Sequence, residues 1–104
     1  MSNYRRPGSK RDGRSFTPAE IQAVWDKGRI VRGENPALYR RDQCGAIIFR
    51  SSYGKRTAMG WEIDHIHPVK RGGTDSIRNL QPLQWENNRR KGDDYPDYTC
   101  AVRA

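Results

Sequence analysis

Cysteine is scarce in this chain, and long hydrophobic runs are missing. The 104 residues include two cysteines, Cys44 and Cys100. Two cannot build a disulfide framework or a four-cysteine zinc site, and both are expected as reduced thiols of a cytoplasmic protein. No apolar stretch approaches the ~20 residues that a membrane-spanning helix needs. The stretch from Met1 to Arg14 has no apolar centre of the kind a secretory signal carries. Hydrophobic residues make up only 34% and the mean hydropathy is −1.06. A core must therefore be thin and lean on its aromatics: Trp25, Trp61, Trp85, Phe16, Phe49 and five tyrosines. The length admits one small domain, and no internal repeat divides it.

Acidic residues are also in the minority. Twelve Asp and Glu face twenty Lys and Arg, a net charge of +8 with a pI near 10.0. Fifteen of the twenty are Arg, whose planar fork engages phosphate bidentately where Lys cannot. Any net charge aids solubility, but a balance this basic in so short a chain favours a polyanionic partner, nucleic acid first.

Residues 1–14 hold Arg5, Arg6, Lys10, Arg11 and Arg14 against Asp12, with Pro7, Gly8 and Gly13 between them. Without hydrophobic periodicity this reads as a disordered basic arm, either a phosphate contact or a solubilising leader. The domain proper spans residues 15–104. Thr17, Pro18 and Glu20 make a helix start, and Ile21, Val24 and Trp25 fall on one face up to Gly28. Gly33, Asn35 and Pro36 mark a loop. Ala37 to Asp42 reads as a short helical turn, Ala46 to Phe49 as a strand, and Ser51 to Gly60 as a loop. Trp61 to His67 alternates and stops at Pro68, as a strand does. A basic glycine loop follows, Lys70-Arg71-Gly72-Gly73-Thr74-Asp75. Leu80 to Leu83 is a second extended piece, and Gln84 to Lys91 is helical with Gly92 as its stop.

This strand, loop, strand and helix carry the chemistry. His65 has a side chain whose ordinary pKa, near ~6.5, suits a general base, though a lone histidine is more often structural. Asp64, its neighbour, reads by spacing as either a solvated acid or a ligand. Asn88 offers a carbonyl oxygen to a hard cation, and Asn87 beside it shows how ordinary such a residue is. Asn79 reads as an asparagine in a turn. Lys70, Arg71, Arg89, Arg90 and Lys91 gather at the two ends of the segment; such runs are often only solvated faces, but folding that brings loop and helix together favours a clamp on a phosphate backbone.

Asp64-His65-Ile66-x-Pro68, Gly72-Gly73, Asn79-Leu80-Gln81 and Asn88-Arg89-x-Lys91-Gly92 stand in an order and spacing that resemble the HNH endonucleases, the ββα-metal (His-Me finger) nucleases. The resemblance covers about residues 61–92 tightly and Cys44-Gly45 loosely. It implies an α+β fold, a small ββα-metal core with flanking helices. By resemblance His65 is the base, Asp64 and Asn88 hold a divalent metal, Mg²⁺ or Mn²⁺, and Asn79 fixes the loop that orients the base. His67 is left open as an exposed polar residue, a phosphate contact, a third metal ligand or a supporting residue, and Glu62 as a supporting residue or phosphate contact.

Two departures matter. Many members carry two Cys-x-x-Cys pairs around a structural zinc, whereas here Ile47, Gln84 and Asn87 stand where three of those cysteines would be. No structural zinc is expected, and Trp85 with the other aromatics is expected to supply the packing instead. Asn88 stands where some members have His. The resemblance implies a metal-dependent endonuclease that hydrolyses double-stranded DNA; one motif with one base and one metal is expected to nick one strand per event, and contacts that are mostly Arg to phosphate are expected to give low sequence specificity. A monomer is favoured over an oligomer, and no membrane is involved. The alternative is a non-catalytic basic nucleic-acid-binding module on the same scaffold.

Overall fold

A computed structural model of the chain describes residues 5–104 and leaves Met1 to Tyr4, the first part of the expected arm, outside the description. The first helix, α1 (Pro18–Trp25), starts as its sequence dictates. The Thr17 hydroxyl accepts from the Glu20 amide and the Glu20 carboxylate accepts from the Thr17 amide, so two of the orphan donors of the first turn are satisfied reciprocally. Its inner face carries Val24 and Trp25 into the core.

Three short strands follow, β1 (Arg29–Ile30), β2 (Tyr39–Arg41) and β3 (Ile47–Phe49), in an antiparallel sheet of that order. The helical turn expected over Ala37 to Asp42 is corrected here. Asn35 O accepts from the Leu38 and Tyr39 amides, which closes a turn. From Tyr39 the backbone instead pairs on both sides, with β1 and β3. Two ladders satisfy more backbone groups than an isolated helical turn can.

The second sheet is a hairpin of β4 (Trp61–His65) and β5 (Leu80–Gln84), with Trp61 opposite Gln84 and His65 opposite Leu80. Helix α2 (Trp85–Lys91) leaves β5 directly and ends at Gly92. Strand, strand and helix form the expected ββα unit within an α+β fold. Every residue of β4 and β5 is buried, because α1 and α2 both pack against the hairpin. The core joins Trp25 and Trp61, ring centroids 5.2 Å apart, to Phe16, Val24, Ile48, Ile63 and Leu80. Among the described residues, no helix is long and apolar enough to cross a membrane.

The cysteines differ from expectation. Cys44 and Cys100 form a disulfide that closes a sequence separation of 56 residues, so neither is a free thiol. The pairing works because the C-terminal tail returns to the β2–β3 turn. Asn87 Oδ1 accepts from the Ala101 and Val102 amides, 2.7 Å each, and its Nδ2 donates to Val102 O.

Beside the disulfide lies the buried carboxylate of Asp42. Oδ1 accepts from the Cys44 and Ala46 amides, and Oδ2 accepts from the Gln84 amide and Asn87 Nδ2, all within 3.0 Å. This knot joins the β2–β3 turn to the β5–α2 junction. It forms at positions 44, 84 and 87, where the resemblance would have cysteines. Trp85, expected to supply this support, is only half-buried and bonds the Thr57 carbonyl through Nε1.

The arm also differs from expectation where it is described. Residues 5–14 fold into turns against the domain rather than trailing free. Lys10 pairs with Glu20 at 3.1 Å, Ser9 is buried, and Arg11 N donates to Asp75 Oδ1 at 2.9 Å. The physical reason is long-range: the acids that hold the arm come from α1 and from the loop after β4.

Candidate active site

The end of β4, the start of the following loop and one face of α2 surround a cavity of about 600 Å³. Asp64, His65, Lys70, Asn88 and Arg89 line it, with Arg5, Pro7, Gly8 and Arg11 from the arm on another side. Five of the expected site residues therefore meet in one place. The others, Glu62, His67, Arg71, Asn79, Arg90 and Lys91, do not line it.

Asp64 is buried. Its Oδ2 accepts from Gln81 Nε2 at 3.0 Å and its Oδ1 lies 3.3 Å from Lys91 Nζ. Burial pushes its carboxyl up to about 6 despite the opposing pull of Lys91, Gln81 and Arg5. A carboxylate can accept roughly four hydrogen bonds, so these two contacts leave lone pairs for a further partner.

Asn88 is oriented by charge. Its Nδ2 donates to Glu62 Oε1 at 2.8 Å. Since the Glu62 carboxylate can only accept, the amide must turn its NH₂ that way. The amide oxygen is left without a donor among the described residues. Glu62 also accepts from Arg89 Nη2 at 2.9 Å, so its place is behind Asn88 and Arg89.

His65 is buried at the end of β4, where the regular strand stops. Its Nε2 lies 2.8 Å from Asp75 Oδ1. A carboxylate at that distance accepts, which protonates Nε2 and leaves Nδ1 as the basic nitrogen. Burial holds the imidazole below its ordinary pKa, with Asp75 pulling against it and Arg5 and Lys91 adding to the depression. A neutral imidazole can take a proton. For Asp75 burial alone would raise the pKa, but the His65 and Arg11 hydrogen bonds hold it below the usual value.

Asn79 does not line the cavity. It staples the loop that leaves β4: Oδ1 accepts from the His67 amide, and Nδ2 donates to the His67 and Thr74 carbonyls. Gly73 makes that closure possible, because a Cβ there would sit 1.7 Å from His67 O. Gly72 adopts a φ of 93°, a left-handed conformation that glycine takes without strain. The sequence Gly72-Gly73 is thus what folds the loop back toward His65.

Among the basic residues, Lys70, Arg71 and Arg90 are exposed and Arg89 borders the cavity. Lys91 is not available to a nucleic acid. It is 1% exposed, donates to His65 O at 3.0 Å and sits over the Tyr98 ring. That corrects its expected place in a backbone clamp, since a buried ammonium paired with Asp64 cannot reach a phosphate. His67 is exposed and stacks on Tyr95, centroids 4.6 Å apart, pointing away from a ligand role beside Asp64.

The sequence model of the HNH endonuclease family matches residues 43–94, half of the chain. The chain belongs to the HNH endonuclease family. No curated protein and no solved structure matches it. The HNH match contains every residue from the Asp42 knot's Cys44 to the end of α2, and so all of the site except the arm. HNH nucleases use a divalent ion. Among the described residues, no cluster of three His, Cys, Asp or Glu could hold one. The donors that do converge are the Asp64 carboxylate and the free amide oxygen of Asn88. Both are hard oxygens, and two protein ligands with the rest left to water and substrate suit Mg²⁺ or Mn²⁺.

Residue patterns missed Asp75, Pro7, Gly8 and Gln81, and left Arg5 and Arg11 as either phosphate contacts or part of a solubilising leader. Asp75 lies ten residues after His65 in a loop that reads as basic and glycine-rich, and no periodicity signals its return. For the arm, the only legible signal was its charge.

Proposed function

We propose that the chain is a divalent-metal-dependent DNA endonuclease that hydrolyses one strand per event with little sequence preference. The observation that carries this reading is the convergence of Asp64, His65 and Asn88 on one cavity bordered by arginine and lysine. His65, its Nε2 committed to Asp75, accepts through Nδ1 a proton from the attacking water. The water oxygen bonds to phosphorus as the bond to the 3′ oxygen breaks, and that oxygen takes a proton from solvent water, leaving 5′-phosphate and 3′-hydroxyl ends. Asp64 and Asn88 would hold Mg²⁺ or Mn²⁺. When bound, that ion stabilises charge on the reacting phosphate and the departing oxygen. Asn79 keeps the loop after β4 closed so that the imidazole does not swing away. Lys70, Arg71, Arg89 and Arg90 neutralise backbone phosphates, which carry no sequence information. One base and one metal pair cut one phosphodiester, so a monomer nicks.

One observation favours the alternative of a non-catalytic binding module. The buried Lys91 ammonium already balances the Asp64 charge without a metal ion. Supercoiled plasmid incubated with the chain and Mg²⁺ or Mn²⁺, with and without chelator, separates the two. The nuclease reading expects metal-dependent loss of supercoil that chelation abolishes. Plasmid that stays supercoiled under every metal, while still shifting in a binding gel, would leave the binding module.

A further inference from the structure

The N-terminal segment carries an arrangement that the HNH match, which begins at residue 43, does not contain. Residues 5–14 are fixed to the domain at several points. Lys10 pairs with Glu20 of α1 at 3.1 Å. Gly8, at a φ of 79°, brings its backbone so close to the Glu62 side chain that a Cβ would lie 3.3 Å from Glu62 Cβ. Arg5 Nη1 donates to Ser9 O at 2.7 Å, and Ser9 Oγ donates to Arg6 O, which folds the segment on itself. A second turn closes through Lys10 N to Arg14 O and Gly13 N to Lys10 O.

The most informative contact is at Asp75. One oxygen, Oδ1, receives both the His65 Nε2 contact at 2.8 Å and the Arg11 backbone N–H at 2.9 Å. The carboxylate that sets the imidazole tautomer is therefore the same group that anchors the segment. From that anchor Arg5 and Arg11 line the same cavity as Asp64, His65 and Asn88. A segment so basic would be repelled from the positively charged α2 end unless such anchors offset the repulsion. A phosphodiester in the cavity would supply the remaining counter-charge.

We propose that residues 5–14 are a working wall of the site, in which Asp75 is the positioning residue that joins them to His65 and Arg5 and Arg11 contact the substrate's phosphate backbone. The proposal rests on the nuclease reading for its substrate, a DNA strand. Its geometry stands on the Asp75 joint.

Two readouts on the full chain test it without requiring cleavage. The first is the side-chain ¹⁵N spectrum of His65. The wild-type chain should show a single tautomer with Nε2 protonated, and Asp75→Ala should lose that preference. Asp75→Leu keeps much of the size, removes both acceptors and serves if the alanine variant does not fold. A folded Asp75 variant with unchanged His65 nitrogen shifts overturns the positioning role. Where cleavage is measured, kcat of such a variant should fall about tenfold or more, as for other groups that fix a working histidine.

The second readout is the salt dependence of binding to a DNA duplex in chelator. The double variant Arg5→Ala/Arg11→Ala should flatten the slope of log K against log salt by about 2, near 0.9 for each lost phosphate contact. An unchanged slope overturns the arm's part in binding. A chain that gives both expected results but never cuts plasmid overturns the nuclease reading and leaves this inference standing.

Discussion

Asp64 and Lys91 illustrate how one buried pair complicates the site's interpretation. Lys91 is 1% exposed and its ammonium lies against Asp64 and the His65 carbonyl. Removing one partner of a buried pair strands the other charge, at a cost of about 3–5 kcal/mol. Lys91→Ala is therefore expected to lower the unfolding free energy by roughly that amount in a urea titration, although the residue touches no substrate. A loss within experimental error would contradict the buried pair. By the same logic Asp64→Ala would remove a proposed metal ligand and strand Lys91 at once. Asn88→Ala is the cleaner probe: it should raise the metal concentration needed for half-maximal cleavage while changing stability less. The motif's spacing picked out His65 and Asn88, and the fold brings both to one cavity. Lys91 was misread because a basic residue in a charged run looks solvated, and only the tertiary fold shows that the helix turns this one inward.

At the scale of elements, the hairpin and α2 hang on the Asp42 knot and the disulfide. Asp42 satisfies four donors at 1% exposure. Asp42→Ala leaves buried N–H groups without partners, and each such group costs about 1–3 kcal/mol. The variant is expected to lose about 3 kcal/mol or more of stability. Reduction of Cys44–Cys100 is expected to cost about 4 kcal/mol, the loop-closure scale for such a separation. Denaturant titrations with and without reductant check this, and equal midpoints would contradict it. Helix α1 was legible from Thr17, Pro18 and Glu20 because capping is local. The alternation of Trp61 to His67 located β4, but it missed that both faces are buried, since packing by two helices is not written in one strand. Strand β2 was missed because Tyr39-Arg40-Arg41 has no apolar pattern. Its Arg40 guanidinium bonds the Pro36, Asp26 and Gly28 carbonyls instead. Two cysteines 56 residues apart carry no local sign of pairing.

At the scale of the whole molecule, a basic chain carries one HNH match and, in the proposed reading, one base, His65. A supercoiled plasmid at low enzyme excess should give open circle first and linear DNA later. Linear product straight from supercoil would require two sites acting together, as in a symmetric dimer. Metal analysis of the purified chain should find no stoichiometric tightly held zinc, because hydrogen bonds and a disulfide occupy the positions that zinc ligands would need. One zinc per chain surviving mild chelation would contradict that. The central claim is that His65 is the base in this cavity, and one comparison tests it most directly. Wild type and His65→Ala are measured side by side for plasmid cleavage with Mn²⁺ and for duplex binding in chelator. The account predicts cleavage slower by about 10²–10⁴, the scale of general base catalysis, with binding and thermal unfolding nearly unchanged. His65→Ala cutting at the wild-type rate would contradict it.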